Sequence, residues 1–264
     1  MKKIIYIFLI FFCSSIFYGC NKNGINSNFH KVNSLKIERV AHAGGSYKNY
    51  SYTNSLEALN FNIKKGVKFF ELDFSFTADN QIVCLHDWGE NFFQSFGFNI
   101  IEKPTLENFK TLVKKQKKYH NLTLDDLATW LKKNPKAMII TDFKDDNLKG
   151  LKIITKSINN YANRVIPQIY QPDEYNEVKK LGYKHIIWTL YRYPHSRRKV
   201  LRNVYKMDLF AVTFSSFWAD QNLGNILKEK NISTYIHTIN SEKEKTFFME
   251  KCGVTEIYSD SLFR

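Results

Sequence analysis

From residue 35 onward, short apolar segments rich in β-branched and aromatic residues alternate with segments whose apolar residues recur at helical spacing. The first kind predicts buried β-strands and the second predicts helices that cover them. We predict nine strands, at residues 37–42, 68–74, 82–87, 137–144, 165–170, 185–191, 209–215, 233–239 and 255–260. Such alternation is typical of a parallel sheet covered by helices, and at this length and number of units it favours a (β/α)₈ TIM barrel.

Three of the intervening helices have clear ends in the sequence. Helices at residues 54–65 and 173–181 each stop at a glycine, Gly66 and Gly182 respectively. A third helix, at residues 124–133, stops before an Asn-Pro pair. Glycine and proline are the usual residues after the last helical turn, so these boundaries are well defined.

The pattern also predicts that the barrel is irregular. Nine strands are one too many, and the link at residues 75–81 is too short for a crossover helix. Its Asp79-Asn80 pair suits a turn, so either the barrel is irregular there or one strand is a piece of the rim. Residues 88–122 are predicted to be an inserted segment between a strand and a helix.

The N-terminal region has a different pattern. A basic start, MKK, precedes an apolar run that ends at Gly19-Cys20, and a polar stretch follows. The run is short for a membrane span, so residues 1–19 are predicted to be a signal peptide. Gly19-Cys20 resembles the end of a bacterial lipobox, which predicts a lipidated Cys20, a flexible spacer at 20–35 and a barrel domain at 36–264. A plain signal peptide or an uncleaved anchor remains the alternative.

The chain carries a formal net charge of +14, with 44% hydrophobic residues. The lysines are scattered and no nucleic-acid-binding motif is present, so we predict a monomer that binds no nucleic acid. A general compositional bias explains the charge, and attraction to an anionic membrane surface or to phosphate-bearing substrates is the alternative.

Each predicted strand is apolar at its start and polar at its carboxyl end, where parallel α/β folds bind ligands. Glu71 and Asp73 are two residues apart, as are Asp142 and Lys144, so each pair shares a face of its strand. Three carboxylates at one mouth repel one another unless a cation neutralises them, and oxygen ligands suit Mg²⁺ or Ca²⁺. Alternatively, the acids pair with Lys144 or cap helices.

His42 and His86 also close apolar strands at this end. A single histidine in such a position is most often a satisfied core residue. Two of them beside an acidic cluster predict a general acid and a general base, since histidine titrates near neutral pH. Flanking a divalent cation, this pair is suited to phosphoryl chemistry.

The chain resembles the glycerophosphodiester phosphodiesterases, of the phospholipase C-like phosphodiesterase superfamily. The family motifs HRG, PENT, ELD, HD, E-x-K, a W/Y-T-x-N strand and TD are matched in the same order by 42-HAGG, 52-YTNS, 71-ELD, 86-HD, 142-DFK, 237-HTIN and 259-SD. The resemblance covers roughly residues 37 to 260, and the run from Glu71 to Trp88 is the most specific part.

This resemblance implies a distorted TIM barrel with a small insertion after the HD strand. It implies one divalent cation, Mg²⁺ or Ca²⁺, held by Glu71, Asp73 and Asp142, with Lys144 on the phosphate. His42 and His86 become the catalytic pair, and the retained Asn54 belongs to the substrate site. In the family mechanism a substrate hydroxyl attacks phosphorus, a cyclic phosphate forms, the alcohol leaves, and water can open the ring.

Three positions depart from the family pattern: Ala43 stands for the arginine, Thr53 for a glutamate, and Asp142 for the usual glutamate. The missing arginine removes a bidentate phosphate contact, so the phosphate is expected on Lys144, Arg192 or the metal alone. The sphingomyelinase D branch is similar in having Glu, Asp and Asp ligands and no such arginine.

Two further residues close another predicted strand. Tyr191 and Arg192 are expected either to contact substrate at the rim or to lie between barrel and helices. His237 matches an aromatic or apolar family position and is expected to be a wall of the pocket.

The sequence therefore predicts an exported, lipid-anchored phosphodiesterase of the bacterial cell envelope. Its substrate is expected to be a glycerophosphodiester or a phospholipid head group. The alternatives are a sphingomyelinase D-like phospholipase, or an inactive envelope lipoprotein that binds metal and phosphate without turnover.

Overall fold

The computed structural model describes residues 35–263, in which eight parallel strands form a closed barrel surrounded by helices. The strands are β1 (Val40–Ala41), β2 (Phe69–Phe76), β3 (Ile82–Cys84), β4 (Met138–Phe143), β5 (Val165–Ile169), β6 (Ile187–Thr189), β7 (Ala211–Phe214), β8 (Thr234–Ile236) and β9 (Glu256–Ser259). Around the barrel the order is β1-β2-β4-β5-β6-β7-β8-β9, and β9 pairs with β1. The predicted (β/α)₈ fold is confirmed.

The ninth strand, β3, is antiparallel to β2 and lies outside the closed barrel. A turn at Thr77–Gln81 joins the two strands, with the Thr77 amide donating to the Gln81 carbonyl at 2.9 Å and Asn80 in the left-handed region at φ 58°. A short link can only reverse the chain, which is why the extra strand is a hairpin partner. The irregularity predicted at residues 75–81 is confirmed, and β3 is the rim piece.

Eleven α-helices lie in the described part of the chain. They are α1 (Leu56–Lys64), α2 (Glu90–Phe96), α3 (Leu106–Lys115), α4 (Leu124–Lys133), α5 (Asn147–Ser157), α6 (Tyr161–Arg164), α7 (Glu174–Lys180), α8 (Arg197–Val204), α9 (Ser216–Asp220), α10 (Leu223–Glu229) and α11 (Glu242–Lys251). The predicted start at residue 54 was wrong by two residues, because Ser55 caps α1 by accepting from the Ala58 amide.

Strand β2 shows how the barrel separates its two faces. Phe70, Leu72 and Phe74 are fully buried toward the helices, and the Phe70 ring lies 5.4 Å from Trp130 of α4. Burying each such side chain contributes about 1.5–3 kcal/mol. The alternate residues Glu71 and Asp73 point the other way, so the packing that forms the barrel wall also carries the acids into its mouth.

The segment predicted as an insertion contains α2 and α3. These helices pack on β3 and its continuation through a small core of their own, formed by Val83, Leu85, Phe92, Phe109 and Val113. The chain then enters α4 through a capping box at Thr123 and Asp126.

The predicted signal peptide at 1–19, the lipidation candidate Cys20 and the spacer up to residue 34 lie outside the described residues. Among the helices of residues 35–263, none has the length and apolar character needed to cross a bilayer.

Candidate active site

The three acids predicted to share one mouth do so. Glu71 and Asp73 lie on β2 and Asp142 on β4, where Asp73 is the direct cross-strand partner of Asp142. One carboxylate oxygen from each lies within 4.8 Å of the others, and all three residues are buried. The parallel pairing of β2 with β4 therefore places two acids side by side on neighbouring strands, although they are far apart in the chain.

Two of the three acids are held by Lys144. Its Nζ lies 2.7 Å from Asp73 Oδ1 and 2.7 Å from Asp142 Oδ2. Two of the acids, Asp73 and Asp142, thus pair with Lys144, as the alternative reading of the sequence expected. The predicted contact of Lys144 with the phosphate stays a prediction. Tyr191 donates to Asp142 Oδ1 at 2.7 Å, and Tyr170 donates to the same oxygen.

Glu71 is held differently. The Ala43 amide donates to its Oε2 at 2.8 Å, but its Oε1 is buried with no hydrogen-bond partner among the described residues. Burial, followed by the charge of Asp73, raises the pKa of Glu71 to about 8. Burial also opposes ionisation of Asp142, but Lys144 and the two tyrosines hold the pKa of Asp142 below its usual range.

His42 follows β1 in a 3-10 turn, His42–Gly44, and meets the last strand. Its Nδ1 lies 2.8 Å from Asp260 Oδ1, directly after β9, and 3.4 Å from Thr238 Oγ1. Burial alone would lower the pKa of His42, but the hydrogen bond to Asp260 and the charges of Glu71 and Asp73 raise it to about 9. The carboxylate can only accept, so Nδ1 carries the proton and Nε2 is left for chemistry.

His86 lies two residues after the end of β3, the strand that forms the hairpin with β2. Its Nδ1 is 2.7 Å from Asp87 Oδ2, and about a third of its side chain is exposed. The other oxygen of Asp87 accepts from the Gly89 and Asn91 amides at the start of α2. In both histidines Nδ1 is therefore hydrogen-bonded to a carboxylate. Asp87 also links His86 to the insertion, because it accepts from amides at the start of α2.

The HAGG turn is built by left-handed backbone. Ala43, Gly44 and Gly45 have φ of 47°, 85° and 80°. Asn62 donates to the Gly44 and Ser46 carbonyls at 3.0 and 3.1 Å, and a Cβ on Gly45 would lie 2.5 Å from its Nδ2. Ala43 is fully buried, and it contacts the acid cluster through its backbone amide, which donates to Glu71, rather than through its side chain.

The 52-YTNS segment lies against this turn. Asn54 donates from Nδ2 to Asp73 Oδ2 at 2.9 Å and accepts from the Asp73 amide at 2.9 Å. The structure therefore places Asn54 behind an acid that it orients, rather than free to meet substrate. Its predicted substrate contact is untested.

The remaining predicted residues surround the acids. Tyr191 is 44% exposed, and the Arg192 guanidinium lies 4.2 Å from the Tyr170 ring centroid and 5.2 Å from that of Tyr191. Burial, with the nearby charge of His42, lowers the pKa of His237 to about 4, so its ring is neutral. A cavity of about 30 Å³ is lined by His42, Glu71, Gln168, Thr189, Tyr258, Asp142, Tyr191 and His237.

Sequence reasoning did not assign roles to four residues of this site: Tyr52, Asp87, Tyr170 and Asp260. Asp87 and Asp260 were visible as the second letters of the HD and SD motifs, and Tyr170 as the polar end of a strand. Tyr52 was visible as the first letter of 52-YTNS, but that motif gave no role for its phenol, because the position of this side chain depends on the backbone conformation of a loop.

The acid cluster fits a hard divalent cation. All its donors are carboxylate oxygens, Glu71 Oε1 is buried without a partner, and three acids face one lysine. Oxygen donors of this kind are preferred by Mg²⁺ and Ca²⁺.

A barrel mouth that gathers two histidines and an acidic cluster can supply an acid–base pair and a cation site, both of which suit phosphodiester hydrolysis. The model of the glycerophosphoryl diester phosphodiesterase family matches residues 42–262. The chain belongs to this family, which confirms both the resemblance and the enzyme class predicted from the sequence.

Solved structures agree at the level of the fold. A glycerophosphodiester phosphodiesterase from Thermotoga maritima is 18% identical, with a TM-score of 0.64 over 86% of this chain and 95% of that chain. One from Parabacteroides distasonis is 17% identical, with 0.64 over 84% and 92%. An Oleispira antarctica phosphodiesterase in complex with the product sn-glycerol-3-phosphate is 14% identical, with 0.65 over 85% and 93%. No curated protein sequence matches the chain.

Proposed function

We propose that this protein hydrolyses glycerophosphodiesters with the help of one divalent cation. The observation that carries the proposal is the meeting of His42, His86 and the acids Glu71, Asp73 and Asp142 at one barrel mouth. The product bound to the Oleispira antarctica relative, sn-glycerol-3-phosphate, is what cleavage of such a diester releases.

Glu71, Asp73 and Asp142 would hold the cation, Mg²⁺ or Ca²⁺. When bound, it supplies positive charge that stabilises the phosphate oxygens during displacement. Lys144 lies against two of these acids and offers a second positive charge to the same phosphate.

His42 and His86 form the acid–base pair. One imidazole accepts the proton of the attacking hydroxyl, and the other donates a proton to the departing alcohol oxygen. Asp260 and Asp87 fix the two rings through Nδ1, so the proton transfers run through Nε2.

We propose that the attacking group is the substrate hydroxyl next to the phosphoester. Its oxygen bonds to phosphorus, the ester bond to the second alcohol breaks, and a cyclic phosphate forms. Water then adds to phosphorus and opens the ring, with the histidines exchanging roles so that the proton balance closes.

The direct test is to incubate the purified full chain, in mild detergent, with glycerophosphocholine in the presence and absence of Mg²⁺ or Ca²⁺. We expect cation-dependent release of choline, reduced at least 100-fold in His42→Ala and His86→Ala. His120→Ala is the matched control, because this histidine contacts Asp126 at 3.5 Å and lies outside the barrel mouth. Turnover that survives both active-site changes would refute the proposal.

A lipid head group is a second candidate substrate, and the surface of the insertion favours it. Phe93, Phe98 and Ile101 are exposed on this segment. Asn91, which lies in α2 with Phe93, donates to the Tyr52 carbonyl at 3.3 Å. The segment that carries these apolar side chains is therefore linked to the mouth. Exposed aromatic residues beside an active site suit a substrate presented by a lipid surface. Parallel assays with lysophospholipid and sphingomyelin distinguish cleavage of lipid head groups from cleavage of soluble diesters. Cleavage of sphingomyelin would indicate the sphingomyelinase D-like alternative.

We further propose that Cys20 is lipidated and anchors the protein in the bacterial cell envelope. The basic start, the apolar run and Gly19-Cys20 support this. Mass spectrometry of the mature N-terminus tests it, and a Cys20→Ser variant that fractionates with membranes as well as the original chain would count against it.

A further inference from the structure

Tyr52 lies between the two histidines. Its ring centroid is 4.7 Å from that of His42, at an interplanar angle of 68°, and 5.1 Å from that of His86, at 57°. In the proposed mechanism one histidine takes the proton of the attacking hydroxyl and the other gives a proton to the departing alcohol oxygen. The phosphate that joins these two oxygens must therefore lie along this same gap. The ring of Tyr52 therefore borders the place where such a phosphate would lie.

The charges of Asp73 and Glu71 act on the Tyr52 phenol, which places it near the acid cluster. Burial, followed by the charges of Asp73 and Glu71, raises the pKa of the phenol above its ordinary value, so it stays protonated and able to donate. Within residues 35–263 its oxygen makes no hydrogen bond, whereas Tyr170 and Tyr191 are both engaged with Asp142. A polar group held at the mouth without a partner is available for a ligand.

The backbone holds Tyr52 in a conformation that is energetically unfavourable for an aromatic residue. Its φ of 64° is in the left-handed region, which an aromatic residue rarely adopts. Asn91 donates to the Tyr52 carbonyl at 3.3 Å, Asn121 donates to the Thr53 carbonyl at 2.9 Å, and the Asn54 amide donates to Ala43 at 3.0 Å. Three separate parts of the chain thus fix the loop that presents the phenol.

We propose that the Tyr52 hydroxyl donates a hydrogen bond to a phosphate oxygen of the substrate, at the place where Ala43 leaves no side chain to do so. This rests on the proposed function for its catalytic consequence, but phosphate binding itself can be measured without turnover. A phenol can give one hydrogen bond where a guanidinium gives two, so it orients the phosphate without adding charge.

The test compares Tyr52→Phe with the original chain. The change keeps the ring between the histidines and removes only the hydroxyl. With Mg²⁺ present, calorimetry should show inorganic phosphate and sn-glycerol 3-phosphate binding about 10-fold or more weakly to the variant, since hydrogen bonds to charged groups are stronger than neutral ones. Glycerophosphocholine turnover should fall with a similar factor in kcat/KM, and the melting temperature should not change.

Tyr50→Phe is the matched control, because Tyr50 packs on Tyr119 at 5.5 Å and has no place in the proposed machinery. Equal phosphate affinity in the original chain and in Tyr52→Phe would overturn the inference. So would a Tyr52→Ala variant that binds phosphate more tightly, since the ring would then be an obstruction. If the original chain binds phosphate through Tyr52 but cleaves no diester, the proposed function fails and the phosphate contact stands.

Discussion

Two carboxylates outside the acid cluster hold the histidine rings through Nδ1, and Asp260 is the less exposed of them. Asp260 Oδ1 meets His42 Nδ1 at 2.8 Å, and its Oδ2 accepts from Asn240 Nδ2 at 2.6 Å. An amide at this position has only one acceptor atom, so Asp260→Asn must turn a donor toward either His42 or Asn240. The geometry of the turn is retained while one hydrogen bond is lost.

We expect Asp260→Asn to lower kcat about 100-fold and to lower the pKa of His42 from its value of about 9, because the amide cannot supply the charge-assisted hydrogen bond and the negative charge by which Asp260 raises this pKa. NMR titration of the histidines in the cation-free protein measures the pKa, and steady-state kinetics measures kcat. Asp125→Asn, at an exposed position on α4, is the control. An unchanged His42 titration would show that Asp260 does not set its charge.

Cation binding should depend on pH through Glu71. Its pKa of about 8 lies above the ordinary value, so below pH 8 a cation must displace a proton from this carboxyl. Apparent affinity for Mg²⁺ or Ca²⁺ is therefore expected to rise about tenfold for each pH unit up to 8 and then to level off. Calorimetry at pH 6, 7, 8 and 9 checks this. Glu71→Gln should bind weakly with a flat profile, and a flat profile in the original chain would contradict the assignment.

The HAGG turn is the element that joins β1 to the site, and Gly45 is its most restricted position. Gly45→Ala meets two penalties, a left-handed φ of 80° and a Cβ 2.5 Å from Asn62 Nδ2. Gly66→Ala meets only the first, since its φ is 87° and no heavy atom lies within 4 Å. We expect Gly66→Ala to cost about 1 kcal/mol and Gly45→Ala to cost about 2–4 kcal/mol, measured by urea unfolding. Equal losses would mean that Asn62 moves aside freely.

The helices and strands themselves were largely predictable, because the residues they bury form a periodic pattern of apolar positions in the sequence. Strand β2 alternates residues that face helices with residues that face the mouth, and α4 begins and ends at residues 124 and 133 as predicted. Pairing between strands leaves no such record. That Tyr170 and Tyr191 both donate to Asp142 depends on the register of three strands, and the position of Tyr52 depends on a strained loop.

At the scale of the whole molecule, the site joins strands that are distant in the chain. Glu71 and Asp73 come from β2, Asp142 from β4, and the Ala43 amide that holds Glu71 from the turn after β1. Without a cation, burial and the charge of Asp73 keep Glu71 largely protonated near neutral pH, while Lys144 pairs with Asp73 and Asp142. Ionisation of all three acids needs a further positive charge where these strands meet. A ligand that binds only where these strands meet therefore stabilises the folded chain as a whole.

Because of this linkage, cation binding should raise the melting temperature. At a concentration 100 times the dissociation constant, the gain is about 2.7 kcal/mol, or roughly 5–10 °C for a domain of this size. Scanning calorimetry with Mg²⁺ or Ca²⁺ and with a chelator measures it, and the shift should vanish in Asp142→Asn. A shift of equal size in that variant would place the stabilising cation elsewhere, and a cation that supports turnover without any shift would mean that the acids do not hold it.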